Sequence, residues 1–260
     1  MSTPAEATTI DRAELETKVK QIYRAVAQNP AGHYHFPMGR SLAERLGYPP
    51  ALFNLIPAGA VESFAGVGYN FDLAALTLGE EVLDLGSGSG MDAFVAALTV
   101  GAGGRVVGLD MTEEQNMKAE SLRKAADFPQ VTFTQGHIEK LPFRDASFDC
   151  IISNGVLNLS PDKSAVFREA ARVLRPGGRL AITDIVTEKQ LTPQIVCNAD
   201  LWAACIGGAA QTDTYQQAIT DSGFVLEQVR RNAYEFLSDS ARAAAAKYGV
   251  MSVSFLARAR

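Results

Sequence analysis

The stretch Val82-Leu83-Asp84-Leu85-Gly86-Ser87-Gly88-Ser89-Gly90 constrains the fold more than any other part of the chain. An apolar run ends in three alternate glycines, and the apolar segment Ala93 to Val100 follows at once. The pattern predicts a buried parallel strand, a tight turn free of side chains, and a helix whose N-terminus faces whatever lies over the turn. A second run, Gly104 to Leu109, ends in Asp110, twenty positions after Gly90. At that place on a second parallel strand a carboxylate meets the ribose hydroxyls of a nucleoside ligand. Met111 beside it offers a soft apolar contact for a base.

The turn itself distinguishes two classes of nucleoside ligand. A dinucleotide-binding turn reads G-x-G-x-x-G, with backbone amides at the pyrophosphate. Here the third glycine is replaced by Met91, which disfavours a dehydrogenase. Asp84, two residues before Gly86, followed by G-x-G-x-G, resembles motif I of the class I methyltransferases that use S-adenosylmethionine. The chemistry agrees, because that cofactor has no pyrophosphate but carries an amino group and a sulfonium. The resemblance places Asp84, Gly86, Ser87, Gly88, Gly90, Asp110 and Met111 at the cofactor. A strand-to-helix turn without a ligand is the plain alternative for the glycines.

At 260 residues with a net charge of -5, the chain suits one domain with additions and lacks the basic face that nucleic acid or anionic membrane demands. Cys150, Cys197 and Cys205 are too few and too irregularly spaced for a disulfide scaffold or a CxxC site. No apolar run reaches about 18 residues, and the first ten residues hold no apolar signal region. The expectation is a soluble cytoplasmic protein without nucleic-acid or membrane partners, compatible with a homodimer.

Along the chain, residues 1–56 read as a tail and helical arm, with a helix from Asp11 to Ala27, and residues 57–260 as the main domain. His33 and His35 stand two apart among aromatics, but no carboxylate or cysteine close by completes a metal set. No metal is expected; a substrate or lid contact through His35 and plain packing are the readings left. The segment 57–72 reads as a glycine-containing loop entering the sheet, with Tyr69 and Asn70 reaching the ligand or lying in a surface turn. Thr112 is expected to cap a helix running to Ala126. A third strand over Val131 to Gln135 leads to Ile138 and Glu139, where methyltransferases commonly hold the adenine edge. A fourth over Phe148 to Ile152 leads to Asn154, facing the reactive methyl in that fold. The fifth follows Pro176-Gly177-Gly178, and two final strands, 224–236 and 249–259, flank a helix near 240–248. Residues 185–222, around Trp202 and Tyr215, are expected to form a cover over the site. The fold class is α/β, Rossmann-like, with a mostly parallel seven-stranded sheet and an antiparallel last strand.

The motifs Gly108-Leu109-Asp110-Met111-Thr112, Asn158-Leu159-Ser160-Pro161-Asp162-Lys163 and Leu174-Arg175-Pro176-Gly177-Gly178 narrow the resemblance to the arsenite methyltransferases, over roughly residues 60–225. That family binds trivalent arsenic through cysteine thiolates, since a soft centre wants soft ligands. At two matching positions this chain has Val67 and Gly155, while the third region keeps Cys205. The resemblance therefore implies SN2 transfer of the sulfonium methyl to a small molecule that is not clearly arsenite. Arsenite methylation and a noncatalytic S-adenosylmethionine-binding sensor or partner module are the alternatives. His35, Tyr69, Asn70, Trp202 and Cys205 are the substrate candidates; His35, Tyr69 and Glu139 are candidate bases, and no catalytic residue is assigned.

Overall fold

The computed structural model describes residues 11–34, 36–196, 201–202, 205–237 and 239–260. Helix α1 (Arg12–Gln28) starts where the Asp11 carboxylate accepts from Ala13 N at 2.9 Å and Glu14 N at 3.2 Å. Those bonds satisfy two of the donors that a helix start leaves free. Leu15, Val19 and Val26 form its buried stripe. Helix α2 (Gly39–Leu46) stops at Gly47, which takes the left-handed conformation (φ 100°) that glycine adopts without strain. The segment 57–72, expected as a loop, contains a short helix, α3 (Ala58–Glu62), and ends in another, α4 (Phe71–Ala74), which leads toward the first strand. Its aromatics Phe64 and Phe71 are buried, because they pack with Tyr48 in the cluster that also holds Val82 and Ile152 of the sheet.

Seven strands follow: β1 (Glu81–Leu85), β2 (Arg105–Asp110), β3 (Val131–Gln135), β4 (Phe148–Asn154), β5 (Leu174–Val186), β6 (Phe224–Arg231) and β7 (Met251–Ala259). They form one sheet in the order β3-β2-β1-β4-β5-β7-β6. Strands β1 to β5 are parallel to one another, and β7 runs antiparallel to both β5 and β6. From β1 the chain moves outward to β2 and β3, then crosses back to β4 on the other side. The carboxyl ends of β1 and β4 therefore flank a topological switch point, where open α/β sheets leave a crevice.

Alternation along the strands loads both faces of the sheet. Val82, Cys150 and Ile152 pack on α5 (Met91–Val100), whose Phe94 and Val95 lie in the same cluster. Leu83, Leu85 and Ile151 pack on α7 (Lys163–Val173) through Val166 and Phe167. Helix α6 (Glu113–Ala125) holds α1 through the Gln115 amide, which donates to Tyr23 O at 2.8 Å, and through Lys118, which donates to Ala27 O at 3.0 Å.

Three local expectations need correction. Strand β6 ends at Arg231 instead of Phe236, where Asn232 turns in to bond Ser252 Oγ and Ser254 Oγ. Thr112 precedes α6 but makes no side-chain cap; the Asp110 carboxylate accepts the Thr112 N–H instead, at 2.8 Å. Tyr215, expected in a cover, lies in the core between Phe167 and Phe255, with its hydroxyl donating to Asp184 at 2.7 Å. Among the described residues no helix is long and apolar enough to cross a membrane.

Gly90 makes the turn into α5 with φ 93°, and a Cβ there would sit 2.6 Å from Phe133 Cζ. Gly90→Ala should lower stability by about 2–4 kcal/mol, the sum of left-handed backbone strain and overpacking. Denaturant unfolding checks this; an unchanged midpoint would contradict the turn geometry.

Candidate active site

A cavity of about 410 Å³ opens over the carboxyl ends of β1, β2 and β4. Its floor is the glycine turn. Gly86 N and Ser87 N both donate to Leu109 O, at 2.7 and 3.1 Å, which fixes the turn against β2. The Asp110 carboxylate adds a second tie, accepting from Gly88 N at 3.0 Å through Oδ2 and from Thr112 N through Oδ1. Burial raises the Asp110 pKa, while these N–H donors pull it down.

Asp84 is in a different position. It is 2 % exposed, and its Oδ2 has no hydrogen-bond partner, although the residue lines the cavity. Burial pushes its pKa well up, and the negative charges of Asp92 and Asp110 add to the rise. Ser87 Oγ on the same wall is likewise buried and unpartnered. Buried polar atoms almost always find partners, and these two, on residues that line the cavity, are exceptions within the protein.

At the β4 end the cavity is organised by Asn154. Its Oδ1 accepts from Val67 N at 2.8 Å and Gly68 N at 3.3 Å. Its Nδ2 donates to Gly68 O at 2.9 Å and is shared with Tyr48 Oη and Asp92 Oδ2, each at 3.1 Å. Tyr48 Oη in turn donates to Asp92 Oδ1 at 2.6 Å. Burial raises Asp92 to about 6, against the pull of the Tyr48 and Asn154 bonds. A Cβ on Gly66 would lie 2.4 Å from Phe64 Cζ and 2.7 Å from Asn154 Cγ, so the loop meets Asn154 through bare backbone.

Met111, Ile138, His137 and Glu139 form the opposite wall, with Ser160 Oγ donating to Glu139 at 2.5 Å. Helix α1 closes the top with Arg12, Leu15, Glu16, Val19 and Tyr23. Glu16 lies 3.9 Å from His137 and bonds Lys20, which holds its carboxyl below the ordinary value.

A methyltransferase domain model matches residues 76–223, a span that contains the glycine turn and both strand-end carboxylates. The chain belongs to the methyltransferase domain family. It is 39 % identical over 199 residues to an arsenite methyltransferase of Halobacterium salinarum, a match covering 76 % of this chain and 51 % of that protein. The arsenite methyltransferase of Aquipseudomonas alcaligenes is 40 % identical over 176 residues, covering 65 % and 51 %. The chain thus spans about half the length of these relatives. Among solved structures, the arsenic(III) S-adenosylmethionine methyltransferase of Chlamydomonas reinhardtii has a TM-score of 0.64 at 31 % identity, covering 85 % of this chain and 74 % of that one. A geranyl diphosphate C-methyltransferase from Streptomyces coelicolor shares the fold alone, with a TM-score of 0.66 at 14 % identity over 93 % and 98 % of the two chains. The class I methyltransferase fold with an antiparallel β7 is what the sheet order displays.

Within this methyltransferase domain, Asp84, Gly86, Ser87, Gly88, Asp110, Met111, Ile138, Glu139 and Asn154 all line the cavity. Gly90 lies beneath it, at the start of α5. The substrate candidates fare differently. Asn70 is fully buried, and its amide donates to Ser153 O at 3.1 Å and Ala181 O at 3.0 Å, locking β4 to β5. Tyr69 faces a separate, shallower hollow with Arg45 and Arg230. Trp202 is buried beside Leu15 and Val19 of α1, behind the cavity lining. Cys205 is core, packed with Ile185 and Ile206, and burial pushes its thiol up to about 11. His35 and Cys197 lie outside the described residues. Sequence reasoning missed Asp92, Tyr48, Tyr23 and Gln115. Asp92 carried a signal, as the lone acid in an otherwise apolar helix segment.

The raised pKa of Asp92 gives a sign. Its folded form binds a proton more tightly than the unfolded chain, so its contribution to stability is complete below about pH 4 and is lost as pH rises through about 6. Asp92→Asn removes that titration. The stability of the native chain relative to this variant should therefore fall, by on the order of 2–3 kcal/mol, between pH 4 and pH 7. Urea unfolding across that range checks it, and a pH-independent difference would contradict the assignment.

Proposed function

We propose that this chain is an S-adenosylmethionine-dependent methyltransferase acting on a small-molecule acceptor. The observation that carries the reading is the buried, unpartnered Asp84 Oδ2 beside the glycine-rich turn, with Asp110 at the end of the next strand. This donor set fits the cofactor: Asp84 would take its amino group, Asp110 its ribose hydroxyls, and Met111 and Ile138 the adenine, with Glu139 near the edge. When bound, S-adenosylmethionine supplies a methyl group on a positively charged sulfur. The chain's own part is to bind, orient and keep water out. Helix α1 covers the cavity, and the Tyr48, Asp92 and Asn154 network fixes the loop 66–68 at the end where an acceptor would sit. Holding donor and acceptor in line supplies much of the rate of such a transfer without a catalytic triad. Tyr69 lies outside the cavity and drops out as a base; Glu139 lies inside it, bonded by Ser160.

Arsenite is the second reading, favoured by relatives that carry that name. Against it stands one arrangement of side chains. The positions where the resemblance expects arsenic-binding thiolates meet in space: a Cβ on Gly155 would lie 3.2 Å from Val67 Cγ1, and Val67 shares a buried cluster with Cys205. The three positions offer a single thiol, held protonated at neutral pH by burial. A soft metalloid centre has too few ligands there, so we read the acceptor as an organic molecule.

Asp84→Asn keeps the shape and removes the charge. Because Oδ2 has no partner in the protein, the variant should be at least as stable as the native chain. Its affinity for S-adenosylhomocysteine should fall about tenfold or more, the size of a charge-assisted hydrogen bond. Calorimetry with that ligand and with NAD checks both the residue and the ligand class. Tight NAD binding with no S-adenosylhomocysteine binding would overturn the proposal.

A further inference from the structure

Lys163 opens helix α7, the end at which a cation opposes the helix dipole. Its side chain turns back from that unfavourable place. Nζ donates to Asn158 O at 3.3 Å and Ser160 O at 3.0 Å, and lies 5.2 Å from the centre of the Trp202 ring. The two carbonyls belong to the segment that supplies Leu159, Ser160, Pro161 and Asp162 to the cavity wall. Trp202 in turn packs against Leu15 and Val19, the residues through which α1 closes the cavity. Cys205 and Gly208, a few residues after Trp202, lie directly against Asn158. A Cβ on Gly208 would lie 1.9 Å from Asn158 O, and the Asn158 amide donates to Cys205 O at 3.0 Å.

We propose that Lys163 is a positioning residue that ties the cavity wall to the helix covering it, so that retention of a bound ligand depends on its ammonium group. An ammonium over an indole face is attracted to the ring, and its remaining protons serve the carbonyls, so one group fastens both partners. Asp184 and Glu139 are the acids whose charge it feels. Each already has its own donor, Tyr215 for Asp184 and Ser160 for Glu139. The carbonyls and the ring are thus the direct partners of Lys163.

The inference rests on the cavity being the ligand site, and two readouts separate the two claims. In calorimetry with S-adenosylhomocysteine, Lys163→Met should bind on the order of tenfold more weakly, because the unfastened wall and helix must then be ordered on binding, while Lys163→Arg should stay within about threefold of the native chain. Hydrogen exchange without ligand should show faster exchange at residues 157–162 and in α1 for Lys163→Met, restored in Lys163→Arg. Trp202→Leu, which removes the ring from the other side, should loosen α1 in the same way and show non-additive effects when combined with Lys163→Met. Failure of the native chain to bind would sink the functional reading and leave the exchange result to decide this one. Native-like exchange in Lys163→Met, or, if that variant does not fold, in α1 of Trp202→Leu, would overturn it.

Discussion

Two carboxylates, Asp84 and Asp92, are held away from water beside one cavity, a third, Asp110, is half-buried there, and the local structure is arranged around the cost of doing so. An ionised carboxylate in the interior costs several kcal/mol unless hydrogen bonds replace its water. Asp110 has two backbone N–H donors, from the glycine turn and from the start of α6. Asp92 has the Tyr48 hydroxyl and the Asn154 amide. Asp84 has one oxygen with no partner at all, and its pKa is pushed well up. Asp84 is thus the carboxylate whose charge the protein leaves least compensated.

The same carboxylates position the backbone around the cavity. Asp110 fixes the turn by its backbone, so the glycines can lie bare under a ligand without losing their shape. Asp92 and Tyr48 fix Asn154, and Asn154 holds the loop 66–68 through both ends of its amide. That loop brings Val67 beside Gly155 and into the cluster containing Cys205. The β4 end of the cavity is therefore bordered by groups committed to one another.

Much of this was readable along the chain because it is local. The strand, turn and helix from Val82 to Val100 follow from apolar runs and alternate glycines, and the Asp110 position follows from counting to the next strand. Met111 follows from the same count, while Ile138, Glu139 and Asn154, which also line the cavity, were legible through the resemblance to the methyltransferases. What failed was the direction of side chains in irregular segments. Asn70 points inward to satisfy carbonyls of β4 and β5, and Tyr69, one residue earlier, points to another hollow. Trp202 and Cys205 are drawn into packing by neighbours far away in sequence, α1 for one and Ile185 for the other. Asp92 escaped notice because its partners, Tyr48 and Asn154, are brought to it only by the folded sheet.

The central claim is most directly tested by transfer of labelled methyl from S-adenosylmethionine, with arsenite plus thiol in one reaction and a small-molecule extract in another. The account predicts label in an organic product of the extract and none on arsenic. Label on arsenic alone, or no transfer in either reaction, would contradict it.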